Sequence, residues 1–277
     1  MIKNRESILS HLREEAKKIR VNIWRALYAA GSGHMGGSLS AADILAALYF
    51  HYMKIQPGDP EWPDRDRFIL SKGHANAALG AVLVQAGFIS RDILEQFYGF
   101  ESLFGMHPDI KLPGVEMSTG GLGHGLSIGL GVAKGASLQK KDFRTIVLIG
   151  DGELQEGSNW EAAMAAAHWK QANLTCILDY NKIQQSGDIS TMLSLEPIAE
   201  KWKSFGWEVR EIDGHNMDEL VTTLDSLPFV DHKPSIIIAH TIKGKGASFA
   251  EGTHLWHNNV VDDHVFSKAL EELELSR

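Results

Sequence analysis

Two oxygen-bearing side chains, Asp151 and Asn181, each stand just past a short apolar run. Thr145-Ile146-Val147-Leu148-Ile149 leads into Gly150-Asp151-Gly152, and Leu174-Thr175-Cys176-Ile177-Leu178 leads into Asp179-Tyr180-Asn181. Between them lies the alanine-rich stretch Asn159-Trp160-Glu161-Ala162-Ala163-Met164-Ala165-Ala166-Ala167, whose composition is helical. The pattern is strand, acidic glycine turn, helix, strand, polar turn, a βαβ unit. A right-handed crossover opens both strand ends on one side of the sheet, where open α/β sheets bind ligands. Carboxylate and carboxamide oxygens there suit a hard cation such as Mg²⁺, which keeps water and takes its remaining ligands from phosphate.

Histidine is the second chemical signal. Of 13 histidines, His34, His74, His107, His124, His254 and His257 fall in predicted turns. His34, His74 and His107 each follow Gly or Gly-Met. If those turns share one sheet edge, their imidazoles converge on one cleft, suited to binding hydroxylated substrates, moving protons and stabilising alkoxides. Other patterns stay open. His254 and His257 have the spacing of half a zinc site with His264 nearby, although no cysteine is at hand. Lys243 and Lys245, in the turn Thr241-Ile242-Lys243-Gly244-Lys245-Gly246, suit either a phosphate or solvent. Glu153 and Glu156 suit either an acid/base pair or a helix N-terminus. Trp24, Trp160, Trp202 and Trp207 lie within predicted elements and read as core.

Elements that would carry these residues alternate along the chain. Helices are expected over residues 5–30, 41–52 with Ser40 as cap, 122–138, 218–227 and 262–275, with another alanine-rich helix after His74. Strands are expected over 66–70, 145–149, 174–178, 207–212 and 235–240. The polar stretch 99–121 holds His107. Strand/helix alternation with short connections predicts one α/β domain spanning 1–277, a doubly wound, mostly parallel sheet with helices on both faces. The formal charge of −8 argues against nucleic-acid or membrane-surface partners. No apolar run has the length of a transmembrane helix, the first six residues lack a signal-peptide core, and the lone Cys176 in an apolar strand suits a reducing cytoplasm.

The stretch from Gly150 to Ile183 resembles the thiamine diphosphate motif, and further stretches narrow the resemblance to the transketolase family. They are Ser32-Gly33-His34-Met35-Gly36-Gly37-Ser38-Leu39-Ser40, Arg65-Asp66-Arg67-Phe68-Ile69-Leu70-Ser71-Lys72-Gly73-His74, Gly105-Met106-His107-Pro108, Ser118-Thr119-Gly120-Gly121-Leu122-Gly123-His124-Gly125, Asp213-Gly214-His215-Asn216 and Thr253-His254-Leu255-Trp256-His257. The resemblance implies that Asp151, Asn181 and the carbonyl of Ile183 bind Mg²⁺ (or Ca²⁺ or Mn²⁺ in its place), bridging to the diphosphate. It places Gly152 and Glu156 beside that site, His74 and His257 near cofactor and substrate, and Gly120, Gly121 and Leu122 along the thiamine. His34, His107, His257 and His74 are the implied catalytic set, the first three facing the sugar carbonyl and hydroxyls. Met35 stands where the family usually has Pro, and His124 where it often has Gln. His240 stands where Lys is common, which leaves no Lys expected at the diphosphate from that position.

Only the pyrophosphate-binding part of such an enzyme is matched. The pyrimidine-binding domain, with the glutamate that activates the cofactor, has no counterpart. The resemblance therefore implies the N-terminal subunit of a split, cytoplasmic transketolase, inactive alone and paired with a C-terminal subunit in an α₂β₂ assembly. Its reaction would move a two-carbon ketol unit from a ketose or ketose phosphate to an aldose. A subunit of a 2-oxo acid dehydrogenase or deoxyxylulose phosphate synthase type, or a non-catalytic cofactor-binding subunit, is the alternative.

Overall fold

A computed structural model describes residues 4–275; residues 1–3, the opening of the N-terminal stretch weighed above as a leader, and 276–277 lie outside it. Five strands form the main sheet: β1 (Arg67–Leu70), β2 (Thr145–Gly150), β3 (Leu174–Tyr180), β4 (Glu208–Asp213) and β5 (Ser235–His240). Their order is β1-β2-β3-β5-β4, and every neighbouring pair is parallel. Continuous runs such as Ile236-Ile237-Ile238 are buried residue after residue because helices cover both faces, so no polar alternation survives in them.

Side-chain period 2 then sorts the two cores. Ile146, Leu148, Ile177 and Ile237 point to one face, with α1 (Arg5–Ala29), α2 (Asn76–Ala86), α5 (Met217–Asp225) and α6 (Asp263–Leu275). Val147, Ile149, Cys176, Leu178, Ile236 and Ile238 point to the other, with α3 (Gly125–Leu138) and α4 (Gly157–His168). The change of face for α5 follows from the strand order: β5 returns between β3 and β4, and a right-handed crossover running backwards places its helix on the opposite side. The doubly wound α/β architecture is therefore the one observed. Trp24, Trp202 and Trp207 are fully buried core residues, and Trp160 packs on Trp202 at 5.4 Å between ring centroids.

Some boundaries differ from expectation. Helix begins at Gly36, not Ala41, in short pieces over Gly36–Ser40 and Ala42–Ala47, followed by a wider turn over Leu48–Tyr52. Ser40 is thus no N-cap; its hydroxyl donates to Asp179 Oδ2 at 2.6 Å, a long-range partner that outcompetes local capping. α3 starts at Gly125 rather than Leu122, and β4 runs one residue later than expected. Two short pairings have no signal in the hydrophobic pattern: Ile183–Gln184 with Gly187–Asp188, and Ser32–Gly33 with Asn259–Val260.

Candidate functional site

All five main strands point their C-terminal ends to one edge, so the turns that follow them meet there. A cleft of ≈ 450 Å³ opens along that edge, a size suited to a small organic ligand. It is lined by His34, His74, His107 and His257, by Gly120, Leu122, Gly152 and Glu156, and by Asp151, Asn181 and Ile183. Of the residues that the resemblance assigns to cofactor, metal and substrate, only Gly121 is missing from this lining; it is exposed, and a Cβ there would meet the His124 ring instead.

His34, His74 and His257 form a triangle, with ring centroids 5.3–5.4 Å apart. The pairing of Ser32–Gly33 with Asn259–Val260, and the Gly36 N–H donated to the Trp256 carbonyl at 3.0 Å, bring the distant His257 turn to His34. Burial pushes all three imidazoles below the ordinary histidine range, His257 to about 3, with the neighbouring ammonium of Lys243 adding to it. His107, exposed at the cleft mouth, is lowered by partial burial as well. These are neutral rings near neutral pH, each with one N–H to donate and one bare nitrogen to accept a hydrogen bond. The Nδ1 of His34 is buried with no protein partner. His254 is exposed while His257 turns inward, so the pair does not converge as a zinc half-site.

The oxygens line the same cleft. Asp151 Oδ1 accepts the Gly152 N–H at 2.8 Å and Oδ2 accepts the Lys182 N–H at 2.5 Å. Burial, with Asp179 nearby, pushes the Asp151 carboxyl up to about 7. A divalent cation would relieve that penalty. Asn181 and Ile183 line the same cleft, and among the described residues no group of three or more His, Cys, Asp or Glu is placed to hold a metal by itself. Two side chains and a carbonyl, needing ligands from elsewhere, fit a cation shared with a diphosphate. A cationic stand-in is already present: Lys243 Nζ donates to the Ile183 carbonyl at 2.8 Å and contacts His257 Nδ1 at 2.8 Å. Burial lowers Lys243 to about 8.

Several residues that build the cleft carry no sequence signal of their own. Lys72 is buried, donating to Asp179 and to the Gly37 carbonyl at 2.7 Å. Asp179 also accepts from Ser40 and Thr241, and although burial alone would raise its carboxyl, the Lys72 ammonium and these donors hold it below the ordinary range. One carboxylate thereby ties together the exits of β1, β3 and β5. Glu153 is no partner for Glu156. It is buried in the single turn Gly152–Gln155, accepting from Ser71, Gly123 and Gly150, whereas Glu156 lies at the rim. Burial pushes Glu153 up. Gly123, at φ +86°, and Gly125, whose Cβ would fall 2.2 Å from Ser71 Oγ, make this close approach of turns possible.

Departures from the resembling pattern are explained by packing. Met35 is fully buried, and His124 is exposed with Nδ1 3.1 Å from the Leu122 carbonyl. His240 faces outward to Glu211 at 3.0 Å. The lysine that reaches the cleft is instead Lys243 from the next turn, while Lys245 pairs with Glu251 outside it.

With that geometry in hand, comparison with known proteins is specific. Residues 12–273 match the family described as "Transketolase, thiamine diphosphate binding domain". One subunit of the apulose-4-phosphate transketolase of Phocaeicola vulgatus is 42% identical over 94% of this chain and 92% of its own length. A 6-deoxy-6-sulfo-D-fructose transketolase subunit of a Clostridium species is 41% identical over 95% of this chain and 96% of its own. Human transketolase is 36% identical, but 96% of this chain covers only 42% of it. The crystal structure of Campylobacter jejuni transketolase superposes with a TM-score of 0.88 at 33% identity, over 98% of this chain and 43% of that one.

Proposed function

The chain belongs to the transketolase family, as the counterpart of its thiamine diphosphate binding domain, and we propose that it is the N-terminal subunit of a two-chain transketolase whose own side chains build half of the active site. The observation that carries this reading is the cleft itself, which neutral imidazoles line together with Asp151, Asn181 and Ile183. The oxygens of those three residues would hold Mg²⁺, or Ca²⁺ or Mn²⁺ in its place, and through it a diphosphate. Gly152 and Lys243 border the same end, and Gly120, Leu122 and the nearby Gly121 turn would flank the thiamine. Thiamine diphosphate supplies the electron sink for cleaving a carbon–carbon bond next to a carbonyl. His34, His74, His107 and His257 would bind the hydroxyls of a ketose, exclude water and exchange protons with its oxygens as charge develops.

The inferred reaction transfers a two-carbon ketol unit from a ketose, or its phosphate, to an aldose. Relatives matched end to end are named as transketolase subunits, for apulose 4-phosphate and for 6-deoxy-6-sulfo-D-fructose. That naming supports a companion chain; in this reading it is the C-terminal subunit carrying the pyrimidine-binding domain, the two form an α₂β₂ assembly in the cytoplasm, and this chain is inactive without it. The one cysteine, Cys176, is buried and unpaired, in keeping with a reducing compartment. The test is a donor screen of the two chains together, with thiamine diphosphate and Mg²⁺. Ketose turnover that needs both chains is expected, and turnover of pyruvate alone would overturn the reading. Asp151→Ala should weaken Mg²⁺-dependent cofactor binding by about 100-fold, the cost of removing one member of a buried charge pair; unchanged binding would remove Asp151 from the metal site.

A further inference from the structure

His215 sits in the Asp213-Gly214-His215-Asn216 turn after β4 and does not line the cleft. Its two ring nitrogens are nevertheless both engaged. Nδ1 lies 2.7 Å from Asp43 Oδ2, and Nε2 receives the backbone N–H of Ile242 at 2.8 Å. An amide N–H can only donate, so Nε2 must be bare and the proton must sit on Nδ1, pointing at Asp43. Asp43 is fixed in turn by a two-pronged contact with Arg20, at 2.5 and 3.2 Å, and the Arg20 Nε donates to the Lys245 carbonyl at 3.1 Å. The bracket Arg20–Asp43–His215 therefore grips the turn after β5 at Ile242 and at Lys245. Lys243 lies between those grips, with its Nζ on the Ile183 carbonyl and on His257 Nδ1. Gly214 permits the contact, since a Cβ there would come 2.5 Å from Thr241 Cγ2.

We infer that His215, locked by Asp43 in the Nδ1–H tautomer, is a positioning residue that sets Lys243 and, through it, the orientation and tautomer of His257. Lys243 donates to His257 Nδ1, which leaves the His257 proton on Nε2. The bracket thus determines which nitrogen of a cleft imidazole carries the proton. Its bearing on cofactor affinity rests on the function proposed above; its bearing on His257 does not.

Two substitutions separate the halves of the His215 contact. In His215→Asn the amide nitrogen replaces Nδ1 and keeps Asp43, but nothing accepts the Ile242 N–H. In His215→Gln the amide oxygen reaches the place of Nε2 and keeps that acceptor. Imidazole ¹⁵N spectra of the full chain should show wild-type His215 as the Nδ1–H tautomer and His257 as the Nε2–H tautomer. The Asn variant should lose protection of the Ile242 amide from exchange by about tenfold and mix the His257 tautomers, and the Gln variant should retain both. In the two-chain complex, thiamine diphosphate affinity with Mg²⁺ should fall about tenfold for Asn and less than about twofold for Gln. An Nε2–H tautomer at wild-type His215, or a His257 spectrum indifferent to the Asn change, overturns the inference, the first without any variant having to fold. Failure of the wild-type complex to bind thiamine diphosphate would instead defeat the proposed function and leave the spectral result standing.

Discussion

Glu153 Oε1 accepts the N–H of Gly123 at 2.8 Å, joining the turn after β2 to the glycine turn before α3. Its other oxygen accepts the Gly150 N–H at 3.0 Å, and the Ser71 hydroxyl donates to Oε1 as well. A carboxylate is the side chain this arrangement needs, because both oxygens face donors. Glu153→Gln supplies one oxygen and one NH₂ group, so one backbone N–H would confront another donor. Leaving a buried donor unsatisfied costs about 1–3 kcal/mol. Urea unfolding of the chain alone should show a loss of that size, and an unaltered midpoint would mean that Glu153 clamps nothing.

Acid should destabilise the chain through its cleft. His34, His74 and His107 are held below the ordinary histidine value by burial, and His257 is lowered to about 3. In the unfolded chain the same rings titrate near about 6.5. Below that pH the unfolded state takes up protons that the folded cleft refuses, so stability is complete above about 6.5 and falls as pH drops. For His257 the loss continues down to about 3. Depressed carboxyls such as Asp179 add to the acid loss only below the ordinary carboxylate range. Asp151, raised to about 7, and Glu153, raised by burial, act in the opposite sense as pH falls, because the folded chain takes up their protons first, so the comparison with a His257 variant isolates the imidazole. Melting temperature should therefore fall as the pH is lowered from about 6.5 to about 5 for the wild type, and less steeply for His257→Gln, as about one proton fewer is taken up on unfolding. Parallel slopes would show that His257 is not held neutral by the fold.

Asp151 and Asn181 were legible because each follows an apolar run at a strand end, and the βαβ pattern alone brings strand ends to one edge. The histidines were legible as a set because glycine turns repeat around them. Lys72 was not, and Lys243 and Glu153 were legible only as open alternatives, since a charged residue in a glycine turn has the same local pattern whether it is solvated or buried against a partner far along the chain. Lys72 is recognised only when Asp179 is beside it, and Asp179 is buried only once β5 closes over that edge. The tie between Ser32–Gly33 and Asn259–Val260 is two residues a side, too short for any periodicity, yet it carries His257 to His34. Doubly wound topology survives such omissions because it rests on long runs buried on both faces.

The His107 loop gives the last prediction. This polar stretch has no periodic pattern, but Phe104 is fully buried, its ring on Gly80 of α2 so closely that a Cβ there would lie 2.0 Å from Cζ. Phe97 packs at a tilt against Phe104, 4.5 Å between centroids, and Asn76 Nδ2 donates to the Gly105 carbonyl at 2.7 Å. His107 follows directly, so its position depends on the seat that Gly80 leaves open. Gly80→Ala fills that seat and should cost about 1–3 kcal/mol by overpacking. Phe104→Ala empties it and should cost about 3–5 kcal/mol. Either change should also release the loop locally, seen as faster proteolysis between Phe100 and Met106 under conditions where the rest of the chain stays folded. A variant that loses global stability with no local opening would show that Phe104 supports the core but does not position His107.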